Sequence, residues 1–298
     1  HQGWVLALSW SACGKFLASG DSQGVIIIWS KDGEKRCTFA GHKKYICSLS
    51  WQPTLENPAL ASSSKDGTCR IWSVARETQE ACMSHMDSVS SVKFMQDKVI
   101  TSSHDKTVKI WSLNGQLLRT LKLHSHWVNS MSTNMDFHDR IMNVEELSKK
   151  ISRPSTLQIA SCSDDNTIGL FKESTDDNLR LVGHQGVVNQ VMFSPNGKYL
   201  ASASFDKAVK IWDTETGKFL GNLRGHVGQV LQLAWSADSK HLISASKDAT
   251  AKLWSIASMK LRSDLPGHLD EVYCVDWSPL GDYAATGGKD QKVLMYSF

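Results

Sequence analysis

Histidine, a hydroxyl residue, aspartate and tryptophan recur in the same order along this 298-residue chain. Four sets are complete: His42, Ser62, Asp66 and Trp72; His85, Thr101, Asp105 and Trp111; His184, Ser202, Asp206 and Trp212; His226, Ser244, Asp248 and Trp254. Ser, His and Asp are the side chains of a hydrolase triad, in which His takes the proton of one activated Ser. A triad needs a single exposed nucleophile with an oxyanion hole, whereas this set repeats and ends on a tryptophan. No catalytic residue is assigned. His124 and His126 suggest a metal pair, but no further Cys or His stands at ligand spacing, and no metal is assigned. No glycine-rich phosphate loop is present, and no cofactor or small-molecule substrate is expected.

The elements that carry these side chains follow from their spacing. Gly-His pairs at His42, His184, His226 and His268, with His1, His85 and His124 in the same slot, lie about 39–43 residues apart, a propeller-repeat period. Only the interval from His124 to His184 is longer, by roughly twenty residues. Within each interval short apolar runs alternate with turn clusters such as Ser194 to Gly197, which predicts four strands per unit. Sheets of this kind cover their faces by stacking around an axis, so the fold class predicted is an all-β propeller. Its repeats run approximately over 1–41, 42–84, 85–123, 124–183, 184–225, 226–267 and 268–298. With 41% hydrophobic and 21% charged residues the chain can bury a large core. No apolar run approaches the about 20 residues of a membrane span, and no membrane partner is expected. Seven cysteines without a C-x-x-C pair fit a reducing compartment and read as mostly buried apolar side chains. The formal charge of +3 leaves any nucleic-acid contact to a local basic patch.

These recurrences, seen together, resemble WD40 repeats over the whole chain. The resemblance implies a buried relay in every blade: Asp orients His, His meets the Ser or Thr hydroxyl, and the hydroxyl meets the indole N–H. Three repeats depart from it, with Gln23 where the first should have Asp, Phe171 for Trp in the fourth and Tyr296 for Trp in the seventh. Those blades are expected to be less rigid. The last repeat ends within its third strand and nothing precedes His1, so the resemblance implies that a closing strand and a first blade lie outside this sequence. The long fourth repeat carries an insertion at about 134–158. There Val144, Leu147 and Ile151 are spaced for one helical face, with Asn143 as cap and Pro154 as stop. A solvated loop and a partner contact remain equal alternatives for it.

More restrictive phrases stand in the later repeats: ASASFDK from Ala201 to Lys207, LRGHV from Leu223 to Val227, AWSADS from Ala234 to Ser239, DLPGH from Asp264 to His268, and GGKD from Gly287 to Asp290. DEVY from Asp270 to Tyr273, VDWSP from Val275 to Pro279, HWVN from His126 to Asn129 and ASSSKDG from Ala61 to Gly67 accompany them. Together they resemble the Notchless family of large-ribosomal-subunit assembly factors. That resemblance implies an eight-bladed propeller behind an amino-terminal ubiquitin-like domain that engages the AAA ATPase Midasin. It also implies a nuclear or nucleolar scaffold on pre-60S particles, touching ribosomal RNA and proteins. A protein-only adaptor in signalling or ubiquitin ligation remains the alternative, because propellers host many functions.

The loop after each His and the turn holding each Asp are expected on one face. Just ahead of each first strand stand Trp4, Tyr45, Trp127, Gln229 and Glu271, and just before the turn Asp stand Lys65, His104, Phe205, Lys247 and Lys289, with Lys43 and Lys44 nearby. Lysines beside aromatics suit phosphate contact with base stacking. Packing over a central channel and ordinary solvated turn lysines account for the same positions.

Overall fold

The computed structural model describes residues 1–54, 56–136, 156–173, 177–278 and 280–298. The chain divides into two compact units, residues 1–129 and, of the described remainder, residues 130 onward. The first carries three four-stranded sheets: β1 (Val5–Trp10), β2 (Phe16–Asp21), β3 (Val25–Ser30) and β4 (Lys35–Ala40); β5 (Ile46–Trp51), β6 (Ala59–Ser64), β7 (Thr68–Ser73) and β8 (Thr78–Ser84); and β9 (Val89–Met95), β10 (Lys98–Ser103), β11 (Val108–Ser112) and β12 (Leu117–Leu121). In the second lie β14 (Gln158–Ser163), β15 (Thr167–Lys172) and β16 (Asn178–Val182), in one sheet with β13 (Val128–Thr133). After them come β17 (Val188–Phe193) to β20 (Phe219–Leu223), then β21 (Val230–Trp235) to β24 (Lys260–Leu265), and a three-stranded sheet of β25 (Val272–Trp277), β26 (Tyr283–Gly288) and β27 (Val293–Ser297). Every sheet is antiparallel and ordered as its strands occur in sequence. The fold class is thus the all-β propeller, with seven blades.

The fifth blade shows why these residues make these strands. Val191 and Phe193 alternate along β17 and are buried, as is Val188 across a register shift in the pairing with β18; β18 (Tyr199–Ser204), in the middle of the sheet, is covered along nearly its whole length; outermost β20 begins exposed. At the turn between β17 and β18, the Ser194 hydroxyl donates to Asn196 Oδ1 at 2.7 Å, and Gly197 takes the left-handed conformation at φ 71°. Only a residue without Cβ adopts that region at little cost.

Blades stack through their apolar faces. Val209, Ile211 and Leu223 of the fifth pack on Val230, Leu233, Trp235 and Leu242 of the sixth. Burying each such side chain contributes about 1.5–3 kcal/mol. In the first unit Trp51 lies against the first blade: its Nε1–H donates to the Ser9 carbonyl at 2.8 Å and its ring stacks on Phe16 at 6.1 Å. The corresponding Trp10 of β1 is 56% exposed, against 6% for Trp51.

Three cysteines, Cys37, Cys69 and Cys162, are buried, but Cys82 and Cys274 are exposed and Cys13 and Cys47 half-buried, so burial is less general than expected. The helix expected over 143–151 lies outside the described residues. The ends of that insertion are tied together: Asn134 Nδ2 donates to the Thr156 carbonyl at 2.7 Å, and the Gln158 amide donates to Asn134 Oδ1 at 3.1 Å.

Candidate macromolecular interface

The relay forms in every complete set. In the second blade His42 Nδ1 donates to Asp66 at 3.0 Å, its Nε2 meets the Ser62 hydroxyl at 2.8 Å, and Trp72 Nε1–H donates to the same hydroxyl at 2.8 Å. The corresponding distances are 2.8, 2.7 and 2.7 Å for His85, Thr101, Asp105 and Trp111. They are 2.7, 2.7 and 2.9 Å for His184, Ser202, Asp206 and Trp212. They are 2.8, 2.7 and 2.7 Å for His226, Ser244, Asp248 and Trp254. Ser62, Thr101, Ser202 and Ser244 are wholly buried. In such a chain each bond contributes about 0.5–1.5 kcal/mol net, while an orphaned partner costs about 1–3 kcal/mol.

The first blade corrects the expectation of a missing carboxylate. Gln23 is not the partner; Asp21, two residues earlier, accepts from His1 Nδ1 at 2.7 Å, with His1 Nε2 on Ser19 at 2.6 Å and Trp29 Nε1–H on Ser19 at 2.8 Å. In the seventh blade His268 meets Asp290 at 3.0 Å and Thr286 at 2.8 Å, while the Tyr296 hydroxyl donates to the Pro266 carbonyl at 3.1 Å. In the fourth, Phe171 fills the tryptophan position and is 1% exposed. Asp165 there accepts from the Thr167 amide at 3.0 Å and from Arg180 at 3.2 Å.

Burial works against ionising Asp66, yet the Thr68 hydroxyl, the Lys43 amide and His42 together hold its carboxyl down at about 2. Asp206 is held at about 2 by His184 and the Gln185 amide against the same burial. Burial pushes His42, His85 and His226 below the ordinary imidazole value despite their carboxylates. The imidazoles are therefore neutral, with Nδ1–H donated to Asp and Nε2 accepting from the hydroxyl.

The same carboxylates fix the outer loops. Asp66 accepts from the Lys43 amide at 2.9 Å, Asp206 from Gln185 at 3.0 Å, Asp248 from Val227 at 2.9 Å and Asp290 from Leu269 at 3.1 Å. Two further groups, not singled out by the sequence reading, complete the turn. The Ser64 hydroxyl donates to the Tyr45 carbonyl at 3.0 Å and accepts from the Asp66 amide at 3.1 Å, and the Thr68 hydroxyl donates to Asp66 at 2.6 Å. Ser103 with Thr107 and Ser246 with Thr250 serve Asp105 and Asp248 alike. The recurring S-x-D-x-T spacing was the available signal.

The two runs of candidate positions meet blade by blade. The amide of Lys65 donates to the Tyr45 carbonyl at 3.1 Å, that of Lys247 to Gln229 at 2.9 Å and that of Lys289 to Glu271 at 2.8 Å. Phe205 and His104 are held in the same way by Val187 and Ser88, and Trp4 by Ser22. Trp4 is 82% exposed, and Lys43, Lys44, Lys247 and Lys289 are exposed too. His104 stacks flat on Trp127, ring centroids 4.7 Å apart, and Lys247 Nζ stands 6.0 Å from the Phe205 ring. Two other candidates are already engaged, Glu271 accepting from the Tyr273 hydroxyl at 2.8 Å and Lys289 lying 3.6 Å from Asp270, while Gln229 Oε1 is buried without a hydrogen-bond donor among the described residues.

The repeat pattern described as "WD domain, G-beta repeat" matches residues 1–30, 33–73, 77–112, 115–172, 177–213, 217–255 and 259–297. The chain is 42% identical over 253 residues to Ribosome assembly protein 4 of Saccharomyces cerevisiae, covering 74% of this chain and 49% of the yeast protein. It is 41% identical over 196 residues to Protein Notchless of Drosophila melanogaster, covering 55% of this chain and 40% of that protein. Ribosome biogenesis protein WDR12 homolog of Drosophila virilis is 28% identical over 270 residues, covering 73% of this chain and 64% of its own length. The chain thus spans about half or less of the length of the first two relatives. Their similarity bears out the resemblance to Notchless read from the sequence.

Proposed function

The chain belongs to the WD40-repeat family, and from that premise we infer that it is the docking scaffold of a large-subunit assembly factor, binding pre-60S particles in the nucleus or nucleolus. The observation that carries this reading is the 42% identity to Ribosome assembly protein 4 across 74% of the chain. The scaffold works without a catalytic centre. The relay serines Ser62, Ser202 and Ser244 are buried, each hydrogen-bonded to its His and its Trp, and burial holds the Cys47 thiol up at about 11, far from a reactive thiolate. The Midasin contact that the family resemblance implies is assigned to no residue of this sequence. Docking falls to the loops that the relay carboxylates fix, Tyr45 and Lys65 in the first unit and Phe205 and Lys247 in the second, where aromatics beside cations suit such contacts.

Sedimentation of the tagged full-length protein tests the reading. Co-migration with particles containing large-subunit precursor RNA is expected, and its absence from them would overturn it. Replacing Lys65, Lys247 and Lys289 with Glu is expected to weaken that association at unchanged melting temperature.

A further inference from the structure

We draw no further inference here: the strongest candidate, the apolar face of the first blade on which Val5, Leu8 and Trp10 stand exposed where Ile46, Leu49 and Trp51 of the second blade are buried, carries nothing because nothing in the structure shows what covers it.

Discussion

The first and second blades, side by side in one unit, reach the same relay by different routes. In the second, two side chains share the turn: Ser64 accepts the Asp66 amide at 3.1 Å, while Asp66 accepts His42 and the Thr68 amide. In the first, Asp21 stands at the place of Ser64 and does both tasks. It accepts the Gln23 and Val25 amides, each at 2.9 Å on Oδ1, and His1 at 2.7 Å on Oδ2. The difference teaches that the relay requires an acceptor at a point in space, and a longer side chain two residues earlier reaches that point. It also concentrates the first blade's turn on one residue.

Breaking that residue is expected to have the largest effect. Asp21→Ala orphans three donors at once and should cost about 2–4 kcal/mol, whereas Ser64→Ala, which leaves Asp66 in place, should cost about 1 kcal/mol. Urea unfolding midpoints measure the difference, and hydrogen exchange at the Gln23 and Val25 amides localises it. Equal costs for the two substitutions would remove the distinction between the blades.

The aromatic ends of the two relays sharpen the comparison. Trp72 is 3% exposed and its hydroxyl partner Ser62 is wholly buried, while Trp29 is only half-buried. Trp72→Phe keeps the ring but strips the donor and should cost about 1–3 kcal/mol, while Trp29→Phe should cost about 1 kcal/mol or less, because water reaches the first site. Thermal denaturation of the two variants ranks them.

Acid should then loosen the second blade in two stages. His42 titrates below its ordinary value in the folded protein, so the unfolded chain binds the proton more readily, and stability falls as pH drops from about 6.5. Asp66 is held at about 2, so its contribution is complete above about 4 and is lost as pH falls from there toward 2. Melting temperature measured from pH 7 downward reports both stages, and an imidazole midpoint for His42 at or above 6.5 by NMR would contradict the first.

The interior of the blades was legible in the sequence because the relay side chains recur wherever the strand lengths recur. His42, Ser62, Asp66 and Trp72 announce one another by spacing, and so do the other three complete sets. The same counting failed at Gln23, since counting assigns a position and a hydrogen bond needs only reach. Tyr296 likewise keeps the aromatic place but sends its hydroxyl to Pro266, past Thr286. The loops that carry the candidate positions were legible only as a set of positions. That Lys247 would lie over Phe205, or His104 stack on Trp127, depends on how neighbouring blades pack, and no spacing within one repeat encodes it.

The smallest effect is the most discriminating. Gln23→Asp restores the residue that spacing asks for in the first blade, so if the relay depended on sequence position the variant should gain stability. Asp21 already accepts His1 and the two turn amides, and a second carboxylate beside it finds no unserved donor and adds like-charge repulsion. The expected change is within about 0.5 kcal/mol of zero or slightly destabilising, as for an ordinary surface substitution, since Gln23 is exposed. A gain of about 1 kcal/mol or more in the unfolding midpoint would show that Asp21 is a poor substitute for the missing residue, and the equivalence of the two routes would fail.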